Sequence, residues 1–235
     1  MRDLQVGGFD IRNWRLVTGC LLYYITDRSA FPGDEPARRR RLLERISEAA
    51  RCGVDFIQLR EKGLSALELE LLACEAVSAI RAANTGKSVN SIPGTRFLIN
   101  SRTDVALAAG ADGVHLRSDD ISPSEVQAIW REATGGPLSN PVIAVSCHSA
   151  QEAAKAASGA NFAVFAPVFG KPRSHRMPAG VEGLREACRS SVPVLALGGV
   201  TLENAALCLD AGAAGIAAIR LFQENEIAEV ISKLR

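Results

Sequence analysis

Membrane-length apolar runs are missing from this 235-residue chain, so nothing in it reads as a transmembrane helix. An excess of one charge is missing too. Lys and Arg number 27 against 26 Asp and Glu, for a formal net charge of +1. That balance leaves no footprint for nucleic acid or an anionic membrane surface. The one basic block, Arg38 to Arg41, precedes "RLLERISEAA" and reads as the solvated start of a helix. The six cysteines include no CxxC pair. Their scatter argues against a zinc site or a disulfide framework and reads as buried thiols in a reducing compartment. The opening stretch "MRDLQVGGFDIRNWRLVTG" carries acids and lacks an apolar core, unlike a secretory leader. The expected setting is cytoplasmic.

What the chain does have is a rhythm. Short apolar runs alternate with segments of helical period from end to end. The runs are "LLYYITD" (21–27), "DFIQLRE" (55–61), "RFLINS" (96–101), "GVHL" (113–116), "VIAVSCH" (142–148), "FAVFAPVF" (162–169), "VPVLALGG" (192–199) and "GIAAIRLF" (215–222). Between them lie Ala-, Leu- and Glu-rich stretches, several of which close on Gly, a helix-end signal. Near-continuous apolar strands belong to sheets covered on both faces. Eight such βα units predict one closed (β/α)8 TIM barrel, with a doubly wound open sheet as the alternative. Residues 1–18 read as an appended arm and 19–235 as the barrel domain.

In such barrels the site lies at the C-terminal ends of the strands, and unusual polar residues collect there. Run two carries Gln58, Arg60 and Lys62 at period two, which puts them on one side. Run three ends in Asn100 and Ser101, and run four carries His115, then Asp119 and Asp120. Run five ends in Ser146 and His148, and run seven in Gly198 and Gly199. Run eight holds Ile219 and Arg220. After run six comes "FGKPRSHRMPAG", with Lys171, Arg173, His175 and Arg176. Its polarity and its glycines predict a mobile cationic lid. Arginine and lysine beside glycine-rich turns suit phosphate, and an aspartate can hold Mg2+ that shares its shell with phosphate. His148 is the better acid–base candidate. His115, inside an apolar run, reads equally well as a satisfied core residue. Cys147, between Ser146 and His148, reads as a wall thiol facing the other way.

"YYITD", "GVDFIQLREK", "FLINSRTDVALAAGADGVHL", "VSCHSAQEA", "APVF", "VPVLALGGV" and "AGAAGIAAI" stand in the order found in the thiamine phosphate synthase/TenI family, which the chain resembles over about residues 21–222. The resemblance implies the same barrel. It implies condensation of a hydroxymethylpyrimidine diphosphate with a thiazole phosphate, with Mg2+, to give thiamine phosphate and pyrophosphate. Gln58, Arg60, Lys62 and Asn100 would hold the pyrimidine diphosphate, Asp120 with Ser101 the metal, and Gly198, Gly199, Ile219 and Arg220 the thiazole phosphate. Lys171 and Arg173 would add cations from the loop. Ser146, Lys62 and His148 would act at the reacting centre. Three positions depart from the pattern: Ser101 where an aspartate is usual, "GKPRSH" where Thr-x-Thr-Lys is usual, and Arg220 where a small serine is usual. TenI-type relatives tautomerise a thiazole carboxylate phosphate, and there His148 would move the proton. A non-catalytic phospholigand-binding barrel is the third reading. The expected partners are these small phosphorylated molecules, with no nucleic acid and no membrane, and a homo-oligomer is left open.

Overall fold

The structure is a computed structural model that describes residues 19–85, 94–135, 140–170 and 177–235. The expected arm, residues 1–18, lies outside the described residues, as do Lys171, Arg173, His175 and Arg176. Eight parallel strands close in sequence order into a barrel. They are β1 (Leu21–Ile25), β2 (Phe56–Leu59), β3 (Arg96–Asn100), β4 (Gly113–Leu116), β5 (Val142–Cys147), β6 (Phe162–Phe165), β7 (Val194–Leu197) and β8 (Gly215–Ala218). No open sheet is needed to place any of them.

The helices between strands begin and end as their sequences direct. Asp34 caps α1 (Glu35–Cys52), accepting from the Ala37 amide at 3.0 Å, and Gly53 ends it at φ +90°. Arg39, in the basic block, pairs with Glu75 on the surface. Capping boxes Ser65/Glu68 and Ser122/Glu125 open α2 (Ala66–Asn84) and α4 (Pro123–Thr134), each satisfying two orphan donors reciprocally. Between them α3 (Thr103–Ala109) starts three residues past the end of β3. The polar cluster after "RFLIN" is therefore a strand end running into a helix start. The rest are α5 (Ala150–Ala156), α6 (Gly180–Ala187), α7 (Ala205–Asp210), α8 (Arg220–Gln223) and α9 (Ile227–Leu234).

Two readings need correction. The run 215–222 is not one strand: β8 ends at Ala218 and Arg220 opens α8, because an apolar run cannot itself distinguish a strand from the helix that follows. The six thiols are not all buried, since Cys74 is exposed on α2.

Alternation along each strand makes two cores. Leu22, Tyr24, Ile57, Phe97, Ile99 and Cys147 face outward and pack under the helices. Leu21, Tyr23, Phe56, Leu98, Phe162 and Leu195 face inward. Tyr23, Phe56 and Phe162 fill the barrel's middle, with Phe56 and Phe162 centroids 4.8 Å apart and Tyr23 edge-on to Phe162 at 5.5 Å. Each such side chain contributes about 1.5–3 kcal/mol by leaving water.

At the opposite end from the strand termini, Arg235 closes the barrel's underside. It donates to Asp55 Oδ2, to the Cys20 carbonyl at 3.2 Å and to the Gly53 carbonyl at 3.1 Å. Asp55 is fully buried and also accepts from the Leu22 amide at 2.7 Å. Burial pushes its pKa up to about 6, while the Arg235 charge and the amide oppose the rise. A folded-state pKa above the unfolded one means stability is lost as pH rises through it. Removing the guanidinium strands the carboxylate and enlarges that loss. Arg235→Ala should cost about 3 kcal/mol at pH 8 and distinctly less at pH 5, where Asp55 holds a proton. Equal losses at both pH values in denaturant titrations would show that Asp55 is not the group involved.

Candidate active site

Residues two apart on each strand share a face, so the layer above the aromatic plug is also inward. It consists of Ile25, Gln58, Asn100, His115, Ser146 and Leu197, all lining a cavity of about 640 Å³ at the C-terminal mouth. Arg60, Lys62, Arg117 and His148 line its rim. A smaller cavity of about 170 Å³ adjoins it, sharing Leu197 and Ile219. Gly198, Gly199 and Arg220 line that one. The structure thus brings together Gln58, Arg60, Lys62, Asn100, Ser101, Ser146 and His148 around one cavity and Gly198, Gly199, Ile219 and Arg220 around its neighbour. Asp120 is reached through Ser101.

A chain of hydrogen bonds leads from the floor to Ser101. Gln58 Nε2 donates to Asn100 Oδ1 at 2.9 Å, and Asn100 Nδ2 donates to Ser101 Oγ at 3.1 Å. Ser101 in turn helps to hold the Asp120 carboxyl low. Gln58 Oε1 is left buried without a partner among the described residues. Such orphans are rare and point to a missing donor. Ser101 sits at φ +60°, the left-handed region where non-glycine residues are uncommon. Arg117 covers Asp120 with its backbone amide at 2.7 Å and its guanidinium at 3.2 Å. Burial works to raise the Asp120 pKa, but the Ser101 and Arg117 hydrogen bonds prevail and hold it below the ordinary carboxylate range.

Glu61, which alternation alone would point away from the mouth, lines the same cavity and is the residue that sequence reasoning passed over. It accepts from the Thr26 hydroxyl, the Arg28 amide at 3.0 Å and the Arg28 guanidinium at 3.2 Å. Thr26 Oγ1 in turn accepts from the Arg60 amide at 3.0 Å. The end of β1 therefore clamps the backbone that carries Arg60 and Lys62. Burial raises the Glu61 pKa, with the Thr26 and Arg28 contacts opposing. The available clue was a carboxylate wedged between two cations in "REK".

His148 donates through Nδ1 to the Ala166 carbonyl at 2.6 Å. A carbonyl only accepts, so Nδ1 carries the proton, and in the neutral ring Nε2 keeps the lone pair. Gly198 and Gly199 have φ of +102° and +67°. A Cβ on Gly198 would lie 2.9 Å from the Pro167 backbone, and one on Gly199 would lie 2.8 Å from Phe169 Cβ. The pair is glycine because the β6 loop rests on it.

Asp120 is the one carboxylate that faces Ser101, and the described residues hold no group of three or more His, Cys, Asp and Glu suited to a metal. Mg2+ at phosphate sites commonly uses one or two carboxylates and takes its remaining ligands from phosphate and water. Asp120 with the Ser101 hydroxyl fits that minimal role.

A polar-floored TIM barrel with adjoining cavities at its strand ends, one rimmed by cations and another by glycines, is of the class that handles phosphorylated small molecules. The chain belongs to the family described as "Thiamine monophosphate synthase", whose pattern matches residues 22–222. A candidate thiamine-phosphate synthase of Geobacter sulfurreducens is 39% identical over 202 residues, 84% of each chain. The thiamine-phosphate synthase of Roseiflexus sp. is 36% identical, covering 86% of this chain and 77% of that one. The solved thiamine phosphate pyrophosphorylase of Pyrococcus furiosus superposes with a TM-score of 0.71 at 28% identity, covering 93% of this chain and 98% of that one.

Ser101→Asp tests the metal corner. Aspartate accepts the left-handed backbone more readily than most residues, but the introduced carboxylate faces Asp120. Without divalent ions the variant should lose roughly 1–2 kcal/mol of stability, an ordinary size for a point change. It should bind Mg2+ with pyrophosphate about tenfold more tightly. Calorimetry giving the same Mg2+ affinity as wild type would remove Ser101 from the metal site.

Proposed function

We propose that this chain condenses a hydroxymethylpyrimidine diphosphate with a thiazole phosphate, releasing pyrophosphate and forming thiamine phosphate. The observation that carries this reading is the pair of adjoining cavities, which suits two anionic substrates meeting at a shared wall. In the larger, the Gln58 side chain on the lining suits the amino group of an aminopyrimidine. Arg60 and Lys62, clamped by Thr26 and Glu61, suit the diphosphate. In the smaller, Gly198, Gly199, Ile219 and Arg220 suit the phosphate of the thiazole.

In this reaction the methylene–oxygen bond of the pyrimidine diphosphate breaks and its electron pair leaves on pyrophosphate. The thiazole nitrogen supplies the pair that forms the new carbon–nitrogen bond. No protein nucleophile is required. What the protein must supply is fixed positive charge where negative charge develops. Arg60 and Lys62 hold the leaving oxygens, and the Ser146 hydroxyl lies on the same floor. Asp120 and Ser101 would hold Mg2+, which when bound neutralises part of the diphosphate charge.

One observation favours a second reading. His148 presents a fixed tautomer at the wall of the larger cavity, as a thiazole carboxylate tautomerase would need. A third reading, phospholigand binding without turnover, shares the cavities and lacks the reaction.

Incubation with both synthase substrates and Mg2+, and separately with the thiazole carboxylate phosphate, separates the three. The expected outcome is thiamine phosphate formation. His148→Asn should then lower kcat only modestly, whereas a tautomerase would lose about 100-fold or more, the usual size of a general acid–base contribution. Isomerised carboxylate without any condensation product would replace the first reading by the second. Binding without either product would leave the third.

A further inference from the structure

Three polar side chains cross the barrel from its aromatic plug to the floor of the larger cavity. Tyr23 Oη lies 2.9 Å from His115 Nδ1, and His115 Nε2 lies 2.8 Å from Ser146 Oγ. Tyr23 and His115 are buried, and Ser146 is half-buried at the cavity floor. A neutral imidazole has one donor and one acceptor nitrogen, so the direction of one bond sets the other.

The surroundings choose the direction. The Tyr23 ring is flanked by Phe56 and Phe162, with centroids at 5.9 and 5.5 Å, and His115 is the partner its hydroxyl has among the described residues. Were Nδ1 the donor, the Tyr23 proton would be buried against aromatic rings with no acceptor, at a cost of a lost hydrogen bond. Tyr23 therefore donates to Nδ1, and Nε2–H donates to Ser146 Oγ. Double protonation of the ring is opposed by its burial, since His115 is 2% exposed and a charge there would be taken out of water.

We propose that Tyr23 and His115 are positioning residues that turn the Ser146 hydroxyl into a hydrogen-bond donor aimed at an anionic oxygen of the ligand. With Nε2–H occupying an oxygen lone pair, the Ser146 proton is the one left for the cavity. The same arrangement makes Ser146 unfit as a nucleophile, because Nε2 has no lone pair to accept its proton. Each bond in the series polarises the next, running from a phenol in the dry interior to the anion. That the anion belongs to pyrophosphate rests on the function proposed above. The hydrogen-bond direction does not.

Two measurements keep those apart. Nitrogen-15 shifts of the His115 ring in the wild-type protein should show Nε2 protonated and Nδ1 bare. Calorimetry with Mg2+ and inorganic pyrophosphate should show Ser146→Ala weakening binding about tenfold, within the span of one hydrogen bond to a charged group. Tyr23→Phe, which keeps the ring, should weaken it several-fold and move the His115 shifts toward the other tautomer. Combined with Ser146→Ala it should add nothing, because both act through one hydroxyl. A structural role for Tyr23 would instead add its loss in full. A protonated Nδ1 in the wild type, or additive losses in the double variant, overturns the proposal. Wild-type protein that shows the expected tautomer and binds no pyrophosphate overturns the diphosphate reading and the ligand named for Ser146.

Discussion

Closing eight parallel strands into a ring fixes which side chains can meet. Every second residue faces inward, and a shift of one position on any strand would exchange its core and helix-facing sets. The observed register pairs Ile25 with Gln58, Asn100 with His115 and Ser146 with Val164. Gln58, Asn100, His115 and Ser146 consequently all face inward at the mouth side of the plug of Tyr23, Phe56 and Phe162. Below them water has no place to be. Polar groups there must satisfy one another, and the hydrogen bonds among them acquire definite directions. The catalytic half of the molecule inherits its order from this packing.

Charge at the mouth follows a similar logic. The carboxylates nearest the cavities are engaged by the protein itself. Glu61 is held by Thr26 and Arg28, Asp120 by Ser101 and Arg117, and Asp27 by Ser29. The ion pairs among the described residues that lie near the mouth use Arg28, Arg102 and Arg117 and leave Arg60 and Lys62 to the cavity. An incoming anion thus meets cations whose backbone is clamped and acids whose charge is already answered. Preorganised charge of this kind does not have to be rearranged when a reaction moves electrons toward it.

The architecture was legible because its cause is local. Apolar runs bounded by Gly, Pro and caps mark all eight strands, and the ends read too long where mouth residues such as Asp27 and His148, or the apolar Ala166 to Phe169 after β6, extend past the ladder. Where a helix follows a strand without a polar break, as at Arg220, the pattern fails. Half of the site was legible for the same reason: Gln58, Arg60, Lys62, Asn100 and Ser146 fall at strand ends that alternation turns inward. The other half depends on contacts between distant elements. His115 looks like a core residue and is one, and its pairing with Tyr23 spans 92 positions. Glu61 lines the same mouth cavity, but its carboxylate is engaged by Thr26 and Arg28 and so anchors the segment that carries the cations. Gly198 and Gly199 suggest a turn, but the reason for glycine is the approach of Pro167 and Phe169.

Ser101 gathers these themes at one atom. Its hydroxyl accepts from Asn100 and helps to hold the Asp120 carboxyl low. A carboxylate at that position could not donate, and two adjacent anions would need a cation between them to coexist. Exchanging carboxylate for hydroxyl therefore changes when positive charge must arrive. Under the proposed chemistry, Asp120 and the Ser101 hydroxyl would hold Mg2+ together with the diphosphate, and the bound ion would neutralise part of the charge that the rim cations do not reach.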